Sequence, residues 1–558
     1  MQRDLTLIDQ QYCCKSCQVA HWPKHKQDCN HEYNKPYWQP AWVRERRDPA
    51  YVLASAPAVT YGSARQSRYL WGNVPAIDCL CLSPQESASS SGLDLNICFA
   101  AAGDIRNLVS TINGLPNDYS GHCRILLNDL DPCVITRNLL ILHALLRPGP
   151  SIEMAAETAL HLWYSAILRS SDAAELYFSA EAVYKSVDLQ AAADASFVNI
   201  LELRGKSLLS ASLSMNNLAS LGVLMSKYNV SAALNSMREI MTAPSRVDYR
   251  DRHLASLKPA HRVAWARNRR IGALLPFSAD ASAFTEPNRS MFTPTGEWMT
   301  MDNANQLYGW PTSAVLQSGQ RNGLDGADIW GCLFVHVREQ LAEMARRVER
   351  FHIDIYITQM DAKELAASIK CGAYPGFSSD CFDRIETSNV VDCIGLDRVL
   401  DDWGPLLRRD KRASLLAYTM NWHVNRPGPS DHRVHGRLVE KAARALNVDL
   451  SKLMQARFMN PMDMSLRAQL LTLDFYKDAF DDNAQSFNEW LNEQKSTPTA
   501  RKHGLRMRAK NRIHPKRFGV PLGAGPRDVP DMTPEDFYNT YVVGGADAPV
   551  RFMEFEVI

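Results

Sequence analysis

Two stretches of the chain carry the same succession of apolar and polar positions. Residues 93–112 (LDLNICFAAAGDIRNLVSTI) begin with an apolar run, turn at Gly103 and continue with apolar residues at helical spacing. Residues 122–146 (HCRILLNDLDPCVITRNLLILHALL) repeat this order around an acidic turn. A buried strand followed by a helix, twice in succession, is typical of a βαβ unit and predicts a parallel sheet.

The strand pattern then stops and later resumes. Residues 150–328 show helical spacing as far as about residue 260 and are then rich in Pro, Gly and Asn, which predicts a mainly helical insertion with an irregular end. Residues 329–425 return to alternating helices and strands, for example in HIDIYITQ and RASLLAYTMNW. We therefore predict an α/β fold, a Rossmann-like doubly wound sheet begun in residues 93–149 and completed in residues 329–425.

The remaining segments differ in character. Residues 1–30 concentrate Cys and His, and residues 31–92 form a connector rich in aromatic residues and Pro, which predicts irregular structure packed on the next domain. Residues 426–558 are helical and basic. Their end, APVRFMEFEVI, is a candidate edge strand of the sheet.

Composition narrows the possible classes of function. The chain has 558 residues, of which 46% are hydrophobic, and a formal net charge of +1. These values are ordinary for a globular protein and give no overall attraction to nucleic acid or membranes. The chain also lacks the apolar core of a signal peptide and any apolar run of about eighteen residues, so we expect a cytoplasmic or nuclear protein. In that reducing setting, thiols are metal ligands or buried side chains more often than disulfides.

The densest chemical signal is YCCKSCQVAHWPKHKQDC, residues 12–29. Cys13 and Cys17 are four residues apart, and so are His25 and Cys29. Thiolate and imidazole are the ligands that zinc prefers, and residues four apart on a helix project from one face. We therefore predict Cys13, Cys17, His25 and Cys29 as zinc ligands.

This segment resembles the second half of a MYND zinc finger, with the form YC-x3-CQ-x3-W-x2-HK-x2-C. The resemblance implies two zinc ions held in a cross-braced order and a role in binding proline-rich or other short peptides. The first two ligand pairs of the family are absent, because the preceding residues contain no Cys or His. Three interpretations stay open: a complete finger encoded upstream, four ligands collapsed onto one zinc with Cys14 or His21 as substitutes, or a remnant that binds no metal.

The first strand and helix predict a second candidate site. A small-residue turn before a helix lets a ligand approach the backbone, and an acidic residue at the next strand tip can bind a ribose diol. Gly103, Asp104 and Asp129 are the candidate cofactor residues, and the layout resembles class I S-adenosylmethionine-dependent methyltransferases. The first loop carries Ala100–Ala102 where such enzymes usually have Gly, and residues 386–392 (ETSNVVD) lack an Asn-Pro-Pro-Tyr type motif. No catalytic residue is assigned, and the aspartates could instead cap helices.

A further resemblance covers residues 93–143 and, more loosely, RIETSNVVD. These segments look like a fungal domain of unknown function that commonly follows a MYND finger. That domain is similar to the N-terminal part of the dynein axonemal assembly factor 3 proteins. The resemblance implies no established catalytic residues.

The basic segment 501–517 has eight Lys and Arg residues and no acidic one. Such a run can bind phosphates or act as a nuclear localisation signal, but without interleaved aromatic residues we expect a solvated surface balanced by acidic groups elsewhere.

Two functions follow from the whole chain. The first is a zinc-binding adaptor for a protein or peptide partner with a non-catalytic methyltransferase-like domain. The second is an S-adenosylmethionine-dependent methyltransferase with a divergent cofactor loop.

Overall fold

The central feature of the protein is one large mixed sheet. A computed structural model describes residues 15–52, 68–82, 91–187, 197–226, 229–424, 426 and 432–558. Within them, nine strands form the sheet in the order β10-β11-β9-β8-β1-β2-β7-β5-β4, and β3 pairs with β6 in a separate, antiparallel two-stranded sheet. The strands are β1 Leu95–Phe99, β2 His122–Asp129, β3 Ile167–Arg169, β4 Phe197–Glu202, β5 Leu208–Leu213, β6 Phe284–Pro287, β7 His352–Gln359, β8 Arg384–Glu386, β9 Ser414–Thr419, β10 Leu505–Met507 and β11 Arg551–Val557.

Helices cover the sheet and build the insertion. The α-helices are Lys15–Cys29, Ala41–Arg44, Arg106–Asn113, Pro132–Leu146, Ile152–Tyr164, Ser170–Lys185, Met215–Met225, Val230–Thr242, Val247–Ser256, Pro259–Ile271, Thr312–Arg321, Ile329–Arg350, Ala362–Lys370, Val391–Ile394, Leu396–Trp403, His432–Ala445, Leu450–Met459, Met464–Tyr476, Ala484–Glu493, Ser496–Lys502 and Pro534–Phe537. Short 3-10 turns are Glu32–Asn34, Ala50–Val52, Pro244–Arg246, Arg289–Met291, Gln306–Gly309, Gly404–Leu406 and Lys477–Phe480, and Tyr538–Val543 is a π-helix. None of these helices combines the length and apolar character needed to span a membrane.

The middle of the sheet is parallel. The strands β9, β8, β1, β2, β7 and β5 all run in one direction, and the antiparallel strands β11 and β4 flank them. Alternate residues of β1 enter opposite cores, Ile97 and Phe99 on one face and Cys98 on the other. A strand buried on both faces reads as a continuous apolar run, which is why β1 was recognisable in the sequence.

The predicted α/β organisation is confirmed at the level of a large, parallel-rich sheet begun before the insertion and completed after it. Two details differ. The insertion also supplies β4 and β5 to this sheet, and β5 buries Leu209, Ala211 and Leu213 between more exposed residues. Such a six-residue alternation is too short to stand out among helical segments.

The C-terminal strand is an inner strand of the sheet. β11 pairs with β9 on one side and with β10 on the other, so its prediction as an edge strand was wrong. The edge strand β10 comes from the basic segment 501–517. There Arg506 pairs with Glu556 at 2.7 Å, and Arg508 pairs with Glu554 at 2.9 Å. Acidic residues of the neighbouring strand therefore pair with two of the eight basic side chains. The segment is not simply the solvated surface expected from the sequence, because it supplies β10 and buries Arg517.

Residues 68–82, which we call the strap, belong to the core although they contain no helix or strand. Leu70, Val74 and Leu80 are buried. The backbone of the strap is held by side chains of the helix Arg106–Asn113, since Asn107 accepts a hydrogen bond from the Ile77 N–H at 2.9 Å. This part of the predicted connector is thus an integral part of the domain.

Candidate functional site

The candidate cofactor site lies where the parallel strands β1, β2 and β8 end. Because these strands are parallel, their carboxyl ends meet at the same edge of the sheet. β1 ends at Phe99 and is followed by a turn in which Gly103 has a φ of +59°, a conformation that favours glycine. In doubly wound sheets, ligands bind in the crevice outside this edge.

Gly103 and Asp129 are brought together there, as the sequence predicted for one site. The Gly103 N–H donates to Asp129 Oδ2 at 2.8 Å, and the Asp131 N–H donates to Asp129 Oδ1 at 2.9 Å. Burial raises the pKa of Asp129 from its ordinary value. Both oxygens of the acidic strand tip are therefore engaged by the chain's own backbone, and the carboxylate braces the turn.

Asp104 faces the strap. Its Oδ2 accepts the Gly72 N–H at 2.8 Å, and its Oδ1 accepts a hydrogen bond from Arg106 Nη1 at 2.6 Å. Arg106 Nε donates in turn to the Val74 carbonyl at 2.8 Å. Asp104 and Arg106 are only 3% and 5% exposed, so this is a buried ion pair whose remaining hydrogen-bonding groups hold the strap. Gly72 has no room for a side chain, since a Cβ there would lie 2.0 Å from Arg106 Cζ.

An aromatic cluster covers the same region. It consists of five buried side chains from the strap, the end of the helix Ile152–Tyr164 and residues 298–310: Trp71, Trp163, Tyr164, Trp298 and Trp310. Trp163 stacks on Tyr164 with ring centroids 4.7 Å apart, and Trp310 Nε1 donates to the Tyr164 hydroxyl at 2.8 Å. The crevice beside the first turn is thus occupied by the protein's own side chains.

Glu386, the first residue of the ETSNVVD segment, was not among the predicted site residues. This residue ends β8, is 1% exposed and accepts a hydrogen bond from the Ser388 N–H at 2.6 Å. Burial raises the pKa of Glu386 to about 7, although the nearby Arg106 guanidinium acts in the opposite direction. It lines a cavity of about 10 Å³ together with Ile77 and Tyr418, which is room for about one water.

The predicted zinc ligands lie at the start of the chain. Cys13 is outside the described residues, whereas Cys17, His25 and Cys29 belong to one continuous helix, Lys15–Cys29. At about 1.5 Å per residue, the backbones of Cys17 and Cys29 are about 18 Å apart along this helix. That distance is too long for both residues to reach one ion. Among the three predicted ligands in the described part of the chain, His25 and Cys29 are one turn apart, a spacing that suits a shared metal.

The same helix is anchored at its end. Asp28 is buried and pairs with Arg270 at 3.1 Å and with Arg267 at 3.6 Å, both in the helix Pro259–Ile271. Burial, followed by the charge of Asp28, raises the pKa of the half-buried Cys29 thiol. Cys29 is therefore held against the insertion.

A family model for a domain of unknown function, DUF4470, matches residues 70–168. These residues are a DUF4470 domain. Comparison with curated proteins and with solved structures finds no match. The DUF4470 domain begins within the strap and contains Gly72, Gly103, Asp104 and Asp129, so the candidate cofactor residues and part of the strap lie in the same domain, whereas Trp298 and Trp310 of the aromatic cluster lie outside it.

Proposed function

We propose that the protein is a zinc-binding interaction adaptor whose DUF4470 domain opens a Rossmann-like, methyltransferase-like core without methyltransferase activity. If the strands of the insertion are left out and β1, β2, β7, β8 and β9 are numbered 1 to 5 along the chain, their order across the sheet is 3-2-1-4-5. The Rossmann type of doubly wound fold has this order, with its ligand crevice beside the first strand. The layout therefore favours descent from a nucleotide-binding core.

The closed crevice carries the proposal. A cofactor at the first turn would have to displace the strap and expose buried side chains such as Leu70, Trp71 and Val74. Each large apolar side chain contributes roughly 1.5–3 kcal/mol when buried, so opening would cost on the order of 5 kcal/mol or more. Because about 1.4 kcal/mol corresponds to tenfold in affinity, this cost would weaken cofactor binding more than about 1,000-fold.

Calorimetry with S-adenosylhomocysteine tests this directly. We expect no saturable heat up to high micromolar ligand, because the crevice is filled and both oxygens of Asp129 accept backbone N–H groups. The matched control is Asp129→Asn, which is nearly isosteric. Saturable binding by the wild type that is lost in Asp129→Asn would favour the alternative, a methyltransferase in which Gly103, Asp104 and Asp129 contact S-adenosylmethionine.

The partner is expected to be a protein or peptide. The MYND resemblance supports peptide recognition. Residues 93–143 resemble a fungal domain of unknown function, and the similarity of that domain to the N-terminal part of the dynein axonemal assembly factor 3 proteins, which assist dynein assembly, supports a scaffold role. An exposed apolar surface lies on the helix Leu450–Met459 and the turn after it, where Phe458 is 84% and Met462 is 85% exposed. Flexible Met-rich surfaces adapt to peptide partners, and exposed apolar patches mark interaction sites.

The variant Phe458→Ser tests whether this side chain belongs to an exposed apolar surface or is needed for folding. Because the side chain is mostly exposed, we expect the free energy of unfolding to change by less than about 0.5 kcal/mol. Binding of the fluorescent apolar dye ANS should fall relative to the wild type, and Tyr184→Ser, at another partly exposed aromatic position, is the control. A large loss of stability would show that Phe458 is a packing residue and remove this surface from the proposal.

Cobalt substitution tests the zinc ligands. Thiolate coordination gives a charge-transfer band that imidazole and carboxylate ligands do not give. We expect the band in the cobalt-loaded wild type and a loss of at least half of its intensity in Cys29→Ser, with Cys371→Ser, an exposed thiol elsewhere, as the control. No thiolate band in the wild type would support the remnant interpretation of residues 12–29.

A further inference from the structure

The amino ends of β2 and β7, opposite the crevice, bring two histidines and a carboxylate together. His122 and His352 are direct partners in the parallel register of these strands. Asp354 lies two residues after His352 and therefore projects from the same face of the sheet. The three side chains come from rigid, adjacent strands.

Their ligand atoms converge. His122 Nε2 lies 2.8 Å from Asp354 Oδ2, and His352 Nε2 lies 3.7 Å from Asp354 Oδ1. The two imidazole rings are parallel within 5° and their centroids are 3.7 Å apart. One nitrogen of each ring and one carboxylate oxygen all lie within 4.8 Å of one another. Among the residues that the structure describes, this is the one such group of three or more His, Cys, Asp or Glu side chains.

We propose that His122, His352 and Asp354 form a binding site for a divalent transition-metal ion. Ligands at about 2.0–2.1 Å around a tetrahedral ion are about 3.3 Å apart. The two nitrogen-to-oxygen distances, 2.8 and 3.7 Å, lie on either side of this value. Because each nitrogen lone pair lies in its ring plane, the two stacked rings must tilt toward a common point when the ion binds, and the side chains must rotate to do so with the backbone in place.

The ligand set selects the class of ion. Two imidazoles and one carboxylate suit Zn²⁺, Co²⁺, Ni²⁺ or Fe²⁺, whereas Ca²⁺ and Mg²⁺ prefer oxygen ligands alone. His122 and His352 are partly exposed, with side-chain exposures of 31% and 43%, so water can complete the coordination. Three protein ligands with an open position is the arrangement of catalytic zinc sites.

The surroundings support a bound cation. Asp354 is buried, and its Oδ1 accepts the Leu208 N–H of β5 at 3.0 Å, which orients the carboxylate. The neighbouring cation, Arg124, is engaged elsewhere: its Nε donates to Asn96 Oδ1 at 2.9 Å and its Nη1 to the Gly376 carbonyl at 3.0 Å. An ion here would connect β2 and β7 directly, and β5 through the Asp354 carboxylate.

The experiment must separate this site from the N-terminal thiols. The full chain carrying Cys13→Ser, Cys14→Ser, Cys17→Ser and Cys29→Ser is titrated with Co²⁺, followed by its visible absorption, and with Zn²⁺ by calorimetry. We expect about one ion per chain without a thiolate charge-transfer band. His352→Ala and Asp354→Asn, each added singly, should weaken binding about tenfold or more, because each removes one of three ligands.

A matched histidine serves as the control. His435 is also partly exposed and lies 3.6 Å from Asp474, but the pair has no third ligand among the described residues. His435→Ala should leave the affinity unchanged. Asp354→Asn keeps an oxygen acceptor for the Leu208 N–H, so its fold, checked by circular dichroism, should persist. No saturable binding in the chain that lacks the N-terminal thiols, or equal affinity in His352→Ala, would overturn the proposal.

Discussion

Arg106→Ala is expected to lower the free energy of unfolding by about 3–5 kcal/mol, because it leaves the buried Asp104 carboxylate without its charged partner. The substitution also removes the hydrogen bond that Arg106 donates to the Val74 carbonyl. Denaturant titration followed by tryptophan fluorescence is a suitable measurement, since four of the twelve tryptophans, Trp71, Trp163, Trp298 and Trp310, belong to the buried cluster at the strap. The strap should loosen at lower denaturant than in the wild type.

Two further variants distinguish the loss of the buried Arg106–Asp104 ion pair from the loss of any arginine side chain. Arg444 pairs with Glu440 only at 3.9 Å and is 81% exposed, so Arg444→Ala should change stability by less than about 0.5 kcal/mol. Arg106→Met combined with Asp104→Asn removes both charges together and should be less destabilising than Arg106→Ala. A loss below about 1 kcal/mol in Arg106→Ala would show that apolar contacts alone hold the strap.

Glu386→Gln should make the protein more stable at pH 8 by up to roughly 3 kcal/mol. Burial raises the pKa of Glu386 from 4.5 to about 7, so the folded protein favours the protonated form. One pKa unit corresponds to about 1.4 kcal/mol. The contribution of this group to stability is therefore full below about pH 4.5 and is lost as the pH rises through 7. Glutamine resembles the protonated acid and removes this dependence.

The measurement is the unfolding free energy of wild type and variant at intervals from pH 5 to pH 8. The two curves should separate progressively as the pH rises. Glu440→Gln, at an exposed position, should run parallel to the wild type. If the Glu386→Gln and wild-type curves are parallel instead, Glu386 titrates at the same pH in the folded and unfolded chain.

The sequence predicted the first half of the fold well because its signals are local. Continuous burial makes β1 an apolar run, and Asp131 and Pro132 mark the start of the next helix, where Asp131 accepts the Cys133 N–H. The proximity of Gly103 and Asp129 followed from parallel pairing. The sequence predicted helix capping as the only structural alternative for Asp129, not its role in bracing the turn. An aspartate at a strand tip has the same sequence pattern whether it braces a turn or binds a ribose.

Other parts of the site depend on contacts that no local pattern encodes. The strap has neither helical nor strand periodicity, and its position depends on side chains such as Asp104 and Asn107. His122 and His352 are distant in the sequence and meet only through the register of β2 and β7. Their proximity is visible only once the sheet is assembled.

The position of β11 has a consequence for synthesis on the ribosome. Residues 551–557 lie between β9 and β10, and β1 pairs with β8 almost 290 residues later in the chain. Domains generally fold as units during synthesis, and unpaired strand edges favour aggregation. The nascent chain therefore carries the open edge of β9 until residue 557 has emerged. Until then, this edge is open to pairing with strands of other chains.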